Sequence, residues 1–390
     1  METHEHRLSE HDEQPKKEEK HMTTAKLALF MGAHTPFEIR TFPVIEPQSG
    51  MARMKLIASG ICGTDMHFMT GCIPLQGPQN IGHEFVGQID AISAEDTQKT
   101  GLHAGDNVIV DIACPCGKCP LCLQGDDANC VQMTAANEAN PLEEPYFVGG
   151  YGEVNFTRVD NLIKIPAAIN PETAAVFACA GPTALHAFEL SRRANRPVSA
   201  MKTAVVQGLG PVGQFAVMYL KSIGVPHVAV ITTGKNPRRD ELARAFGADE
   251  VWRLNELSDA EIVSKAKAMS DGLGVDLVYE ASGSVKAVPL GMQLLRNRGV
   301  YLIPGQYSDS GEAPIMPQLI TFNALQLIGS SQYSMTDVYR YLDFLSAHPE
   351  LHEKINALIT RYTVDDVNHA FDDVAAGRCV KALLVKGENA

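Results

Sequence analysis

The chain has 390 residues, 45% of them hydrophobic, and its 46 acidic side chains outnumber 33 basic ones to give a formal net charge of −13 at pH 7. One ordinary hydrophobic core does not extend over such a length, so at least two domains are expected. The negative charge repels nucleic acid and anionic lipid, and no apolar run reaches the roughly 18 residues of a membrane span, so we expect a cytoplasmic protein with neither partner.

Residues 1–24 form the first distinct segment. They are rich in His, Glu and Lys and contain few apolar side chains, so burial cannot offset the entropy of ordering them. We predict a disordered tail. Its histidines are interpreted as solvated side chains rather than a metal site: His4, His6, His11 and His21.

Residues 25–178 have the pattern of a β-rich domain. Short apolar runs alternate with glycine-rich turns, and the clearest runs lie at 53–58, 85–92, 107–112 and 162–165. Runs of this length, bounded by turn-forming residues, are typical of strands.

The pattern changes after residue 174, where a helix is predicted to extend to residue 193. Strands and helices then alternate, with strands at 203–207, 227–232, 275–281 and 300–304 and helices at 212–223, 238–246 and 285–295. This alternation predicts an α/β fold with a Rossmann-type doubly wound parallel sheet, which we assign to residues 179–330. A helix at 335–347 and a strand at 381–385 indicate that residues 331–390 return to the first domain.

Four cysteines with the spacing C-x2-C-x2-C-x7-C occupy one short loop: Cys116, Cys119, Cys122 and Cys130. Four thiolates close the coordination of a tetrahedral zinc ion completely, which predicts a structural zinc. Cys114 is a fifth candidate, but Pro115 stiffens its approach and the other four suffice. The alternative is a set of reduced surface thiols, which the metal-like spacing disfavours.

A second group of metal donors is distributed along the chain. Cys62 and His83 lie in glycine-flanked turns, and Cys179 is the most suitable third donor. Two thiolates and an imidazole suit zinc, and three protein ligands leave a fourth position for a substrate. Each residue alone is more typical of core packing, so the prediction depends on their joint occurrence.

A glycine-rich turn follows the predicted strand at 203–207 and opens the next helix. Its six residues match G-x-G-x-x-G: Gly208, Leu209, Gly210, Pro211, Val212 and Gly213. In this context the motif predicts a dinucleotide site with the pyrophosphate at the helix N-terminus.

The residues after the predicted strand at 227–232 indicate which coenzyme is preferred. Gly234 stands where a carboxylate usually binds the adenosine ribose, and Lys235, Arg238 and Arg239 follow it. Basic groups without that carboxylate suit a 2′-phosphate, so NADP is favoured over NAD. The alternative is a solvated basic helix start.

Five motifs in this order resemble the zinc-containing medium-chain alcohol dehydrogenase superfamily, and the likeness extends from Lys26 to Lys386. They are C-G-T-D-x-H at Cys62, G-H-E-x-x-G at Gly82, the four-cysteine loop, C-A-G-P-T at Cys179 and the turn at Gly208. The resemblance implies a GroES-like catalytic domain beside the Rossmann domain, two zinc ions per chain, and a homodimer or homotetramer.

The resemblance also implies roles for individual residues. Cys62, His83 and Cys179 would bind the catalytic zinc, with Glu84 close to the metal and Asp65 supporting a ligand. Thr64 would share a proton with the substrate oxygen and His67 would pass it outward, as a hydroxyl beside an imidazole can. Lys381 would approach the coenzyme phosphates.

The sequence therefore predicts a zinc-dependent enzyme that moves a hydride between an alcohol or carbonyl substrate and NAD(P). Polyol dehydrogenases commonly have Glu where this chain has Cys179, which favours simple or secondary alcohols, with polyols as an alternative. A zinc-free reductase would lack the ligands at Cys62 and His83. A non-catalytic, zinc-stabilised NADPH sensor is the alternative from another class.

Overall fold

The computed structural model describes residues 23–306 and 308–387. The first described strand already pairs Thr24 with Pro43. The tail predicted for residues 1–24, with its four histidines, lies almost wholly outside the described residues.

The first domain is built on a seven-stranded sheet that includes two strands near the C-terminus, β16 Ile359–Tyr362 and β17 Lys381–Val385. The strand order is β16-β17-β3-β4-β5-β9, and β8 also pairs with β3. Its strands are β1 Thr24–Leu29, β2 Glu38–Pro43, β3 Met51–Gly60, β4 Glu84–Ala91, β5 Asn107–Val110, β6 Ala113–Cys114, β7 Thr134–Ala135, β8 Val154–Arg158 and β9 Leu162–Lys164. Its helices are α1 Gly63–Thr70, α2 Ala94–Thr100, α3 Pro120–Leu123 and α4 Pro171–Val176. The predicted β-rich character is confirmed.

The second domain is an open sheet of six parallel strands in the order β12-β11-β10-β13-β14-β15. Its strands are β10 Thr203–Gln207, β11 His227–Thr232, β12 Glu250–Arg253, β13 Val275–Glu280, β14 Leu295–Ile303 and β15 Gln326–Gly329. The helices around it are α5 Ala180–Arg193, α6 Pro211–Ser222, α7 Pro237–Ala245, α8 Asp259–Ala268, α9 Ala287–Leu294 and α10 Pro317–Phe322. This is the doubly wound order, with its switch point between β10 and β13, so the predicted fold class is confirmed.

The C-terminal segment contains α11 Met335–Ala347, α12 His352–Asn356, β16 Ile359–Tyr362, α13 Val367–Ala375 and β17 Lys381–Val385. β17 pairs with the end of β3, so these strands rejoin the first sheet. However, α11 packs on the second domain: the Tyr341 ring lies 5.8 Å from Phe215 of α6. The Tyr341 hydroxyl also donates to the Ala174 carbonyl of α4 at 2.9 Å, so α11 contacts both domains.

The predicted helix over 174–193 is wrong as a single element. It is two helices, α4 and α5, separated at Phe177–Cys179. Pro182 has no N–H to donate to a preceding turn and is tolerated only in the first turn of a helix, so α5 begins afresh just before it. The break places Cys179 at the start of α5, where its thiol faces the domain boundary.

The glycine-rich turn brings β10 and α6 into close contact. Gly208 has φ +93°, and a Cβ there would lie 2.8 Å from Cα of Ser282, the residue that follows β13 by two positions. A Cβ at Gly213 would overlap the Gly208 carbonyl oxygen, whereas a Cβ at Gly210 would meet open space. Helix α6 therefore depends on Gly213 for its distance from the sheet.

We predict that Gly213→Ala lowers stability by about 1–3 kcal/mol, because the added methyl group must push α6 away from the Gly208 carbonyl. Gly210→Ala is the matched control and should unfold like the wild type, since its Cβ meets no atom. Urea titrations followed by circular dichroism measure both. Equal stability of the two variants would contradict the packing argument.

Candidate active site

A cleft of about 660 Å³ lies between the two domains. The first domain contributes Cys62 and His83 to its wall, and the second contributes Gly210 of the glycine-rich turn. The cleft therefore joins the predicted metal donors to the predicted dinucleotide turn.

The donor atoms of four residues lie within 4.8 Å of one another: Cys62, His83, Glu84 and Cys179. The two sulfur atoms are 3.9 Å apart. Cys62 precedes α1, His83 precedes β4 and Cys179 precedes α5, so three element ends converge on one point. The structure thus brings the three predicted ligands together.

Asp65 supports two of these donors from beneath. It is fully buried; its Oδ2 accepts a hydrogen bond of 2.8 Å from the Cys62 backbone N–H, and its Oδ1 lies 3.6 Å from His83 Nδ1. A carboxylate beside one ring nitrogen orients the imidazole and leaves the other nitrogen for a metal.

The charge state of the cluster fits a divalent cation. The hydrogen bond between the two sulfurs lowers the pKa of Cys62 well below its usual value and raises that of Cys179. The two thiols therefore share a proton that a cation would displace. Two sulfurs and an imidazole form the donor set that zinc prefers, so the residues present fit the ion that the resemblance implied.

Lys381 pairs with Glu84. Its side chain is buried below the cluster, where Nζ contacts the Glu84 carboxylate and donates to the Ile61 carbonyl at 3.4 Å, and the residue also lines the cleft. Its contact with the coenzyme phosphates stays a prediction. A buried ammonium requires such partners, so its charge is neutralised by Glu84. Burial raises the pKa of Glu84 to about 7, against the opposing effect of Lys381. Gly60 leaves the space for the pair, because a Cβ there would overlap the carboxylate.

Thr64 and His67 both lie on α1 and line the cleft. Thr64 Oγ1 is 3.9 Å from Cys62 Sγ, beside the cluster. His67 lies one turn further along the helix, where its Nδ1 is 3.3 Å from Ser308 Oγ of the second domain. Thr64 therefore lies beside the cluster, and His67 lies where the two domains meet.

The four cysteines of the loop form a separate cluster. Their sulfur atoms lie within 4.8 Å of one another, with Cys119 and Cys122 at 3.5 Å. Backbone N–H groups donate to two of these sulfurs, at 3.2 Å from Cys116 to Cys130 and at 3.4 Å from Cys119 to Cys116. Such hydrogen bonds stabilise thiolates. Cys114 stays outside the cluster, with its sulfur 3.5 Å from Asn161 Oδ1.

The glycine-rich turn lies at the switch point of the second sheet, where open α/β sheets bind their ligands. Gly210, Pro211 and Val212 line the cleft at the N-terminus of α6, which favours an anion. Gly208, Leu209 and Gly213 form the turn behind them and set its shape.

The basic residues that follow β11 differ in their exposure and in their partners. Gly234 has φ +73°, and a Cβ there would overlap the end of the Asn255 side chain, so an aspartate would fit only if Asn255 moved. Lys235 is exposed, and Arg238 is 3.3 Å from Glu241. Arg239 is half-buried, and among the described residues no acceptor binds its Nε.

Tyr333 and Ser330 line the cleft but were not predicted from the sequence. They follow β15, which the sequence pattern did not reveal as a strand. Because the carboxyl ends of parallel strands face the ligand crevice, recognising β15 would have pointed to this loop. Burial raises the pKa of Tyr333 well above its usual value, so its hydroxyl stays protonated.

Two family models match the chain. The alcohol dehydrogenase GroES-like domain matches residues 48–167 and the zinc-binding dehydrogenase domain matches residues 211–347. Together they extend over about two thirds of the chain. The first match lies within the predicted catalytic domain, and the second begins in the predicted Rossmann domain and extends past residue 330 to residue 347.

Individual proteins agree with the models. A 5-exo-hydroxycamphor dehydrogenase of Pseudomonas putida is 27% identical over 351 residues, covering 88% of this chain and 93% of that protein. A sorbitol dehydrogenase of Halalkalibacterium halodurans is 28% identical over 357 residues, with coverages of 89% and 95%. The crystal structure of an alcohol dehydrogenase from Thermotoga maritima superposes with a TM-score of 0.83 at 24% identity, covering 93% of this chain and 99% of that one.

The chain belongs to the zinc-containing medium-chain alcohol dehydrogenase superfamily. It is a zinc-dependent oxidoreductase that transfers a hydride between an alcohol or carbonyl substrate and NAD(P). In residues 23–306 and 308–387, none of the helices combines the length and hydrophobicity that a bilayer span requires.

We predict that Lys381→Met lowers the free energy of unfolding by about 3–5 kcal/mol, because it leaves the Glu84 carboxylate buried without its partner. The double variant Glu84→Gln with Lys381→Met should recover part of this loss, since it buries no charge. Urea unfolding measures both. A single variant as stable as the wild type would show that the pair is not buried as described.

Proposed function

We propose that Cys62, His83 and Cys179 hold a catalytic zinc ion, that the four-cysteine loop holds a second, structural zinc, and that the enzyme interconverts a secondary alcohol and its ketone with NADP as the preferred coenzyme. The observation that carries this proposal is the convergence of three sequence-distant donors within 4.8 Å in the cleft that also contains the dinucleotide turn.

Zinc at the cluster supplies a Lewis acid that polarises the substrate oxygen. During alcohol oxidation the Thr64 hydroxyl takes the proton from the substrate oxygen, and His67 receives it and releases it toward solvent. During carbonyl reduction the same two groups move a proton inward. The cleft walls position the substrate carbon for hydride transfer to or from the nicotinamide and keep bulk water away.

The basic strand end supports NADP. Gly234 provides no carboxylate to repel a phosphate, the Arg239 Nε has no hydrogen-bond partner among the described residues, and Lys235 is exposed. An arginine and a lysine at this position would bind a 2′-phosphate by charge-assisted hydrogen bonds. Arg238 is less suited to this role because Glu241 neutralises it.

Polyols are a second candidate substrate class. They are favoured by the similarity to sorbitol dehydrogenase over nearly the whole chain. Simple secondary alcohols are favoured by Cys179, because polyol dehydrogenases commonly have Glu at this position. Both candidates share one reaction and differ in whether the substrate carries further oxygens.

A second copy of the chain is the proposed partner. Strand β15 is the terminal strand of the six-stranded sheet, and an unpaired strand edge is a template for another chain. Near it, Phe322 is 78% exposed and Ile315 and Met316 are each 43% exposed. A twofold contact through this face would give the expected homo-oligomer. We place the enzyme in the cytoplasm, because a reducing compartment keeps metal-binding thiols free.

We predict that Cys62→Ser removes one of two bound zinc ions and abolishes turnover while dinucleotide binding is retained, because the glycine-rich turn is untouched. Cys119→Ser is the control and should lose the other zinc ion and thermal stability. Mass spectrometry of metal content, coenzyme binding and turnover measure these effects. Undiminished turnover in Cys62→Ser would refute the assigned ligand role.

We predict that Arg239→Gln raises the KM for NADPH roughly tenfold and leaves that for NADH unchanged, because only the 2′-phosphate accepts a charged hydrogen bond there. The control Arg238→Gln removes an arginine already paired with Glu241 and should have a smaller effect. Initial-rate kinetics with both coenzymes decide. KM values that change together for NADPH and NADH would contradict a 2′-phosphate contact.

A further inference from the structure

Glu280 is a buried carboxylate that neither the proposed zinc site nor the proposed proton path uses. It is the last residue of β13 and is fully buried. Its Oε1 accepts hydrogen bonds from the Ser282 N–H at 2.7 Å, the Ser282 hydroxyl at 2.5 Å and the Gly283 N–H at 3.0 Å. Its Oε2 accepts one from the Gln306 side-chain amide at 3.1 Å. The carboxylate therefore joins the loop after β13 to the loop after β14.

These partners indicate that Glu280 is ionised. Backbone N–H groups can only donate. The Ser282 hydroxyl accepts from the Ser284 N–H at 3.2 Å, which leaves its own proton for Glu280. The Gln306 amide nitrogen also donates to the Ser284 carbonyl at 3.2 Å, which fixes the end of the amide that faces Glu280. A protonated carboxyl would find no acceptor among these four donors, so the acceptor-only carboxylate fits them best.

The charge of Glu280 is not cancelled by a neighbouring cation. All four donors are uncharged, and no salt bridge to Glu280 is formed among the described residues. The Glu84 carboxylate differs in this respect, because Lys381 pairs with it. Glu280 thus places a net negative charge in the interior of the second domain.

This charge lies directly behind the wall of the cleft. Ser282, Gly283 and Gly305 line the cleft, and a Cβ at Gly305 would lie 2.5 Å from Glu280 Oε2. The two glycines have no side chains, so little more than backbone separates the carboxylate from the cleft.

The order of the strands indicates which part of the coenzyme meets this wall. In the order β12-β11-β10-β13-β14-β15, the proposed contact with the adenosine ribose follows β11 and the glycine-rich turn follows β10. A dinucleotide that lies across the carboxyl ends of these strands then places its nicotinamide beyond the turn, over the ends of β13 and β14. The proposed zinc ligands, which the ring has to reach, line the same cleft.

We propose that Glu280 makes the cleft discriminate between the two oxidation states of the coenzyme, its negative charge favouring the oxidised form. The oxidised nicotinamide ring carries a positive charge, whereas the reduced ring is neutral. A fixed charge behind a wall that excludes water attracts a cation in front of that wall much more strongly than it would in water. This inference rests on the proposed coenzyme site, and it applies to NADP and NAD alike because the two differ only at the adenosine ribose.

The test measures the dissociation constants of NADP⁺ and NADPH by calorimetric titration of the zinc-loaded enzyme without substrate. Glu280→Gln keeps the size of the side chain and removes its charge. In this variant the dissociation constant of NADP⁺ should rise about fivefold or more while that of NADPH changes by less than about twofold, because only the cationic ring loses an attraction.

Asp96→Asn is the matched control. Asp96 is also a buried carboxylate with uncharged donors, the Gly50 N–H at 2.9 Å and the Ser93 hydroxyl at 2.7 Å, but it does not line or underlie the cleft. Both dissociation constants should equal those of the wild type in this variant.

A second variant neutralises the charge and keeps the carboxylate. Gln306→Lys places an ammonium group beside Glu280 Oε2, where the amide nitrogen now lies. It should also weaken the binding of NADP⁺ relative to that of NADPH, and it decides the question if Glu280→Gln does not fold.

A purely structural role of Glu280 would weaken the binding of both forms equally. Dissociation constants that change by the same factor in these variants, or that do not change at all, would therefore overturn the proposal while leaving the coenzyme site intact. If the wild type binds neither NADPH nor NADH, the proposed coenzyme site itself fails, and the role of Glu280 fails with it.

Discussion

The site depends on three donors, Cys62, His83 and Cys179, each held directly before the start of a helix or strand. Cys62, His83 and Cys179 are far apart in sequence, so only the tertiary fold brings them together. Asp65 holds the first two by a backbone hydrogen bond and an imidazole contact, and the break before α5 presents the third. Beneath them the Glu84 and Lys381 pair fills the floor of the site without a net charge. The zinc ion proposed for this cluster would replace the proton that the two thiols share.

The two domains divide the chemistry between them. The first supplies Cys62 and His83 of the proposed metal site, and Thr64 and His67 of the proposed proton path. The second presents the N-terminus of α6 at the switch point of its sheet, and the loop after β15 adds Tyr333. The final strand β17 pairs with β3 and carries Lys381 under the cluster. The return of the chain to the first domain is thus part of the site as well as of the fold.

Much of this arrangement was predictable from the sequence because its motifs are local. The spacing of the four loop cysteines suits a tetrahedral zinc ion. The position of the turn at Gly208, between a strand and a helix, suits a dinucleotide. Pro182 broke a predicted helix because helical periodicity alone does not register a missing N–H. The pairing of Lys381 with Glu84 was not predicted, because the two residues are 297 positions apart in sequence. Tyr333 was missed because β15 is a short strand that has no strong apolar pattern of its own.

The most direct test of the central claim is an anomalous difference map from crystals of the purified protein, measured at the zinc absorption edge. We expect two anomalous peaks per chain. One lies between the sulfurs of Cys62 and Cys179 and a ring nitrogen of His83, and the other lies among the four loop sulfurs. A single peak confined to the loop, in protein that turns substrate over, would contradict it.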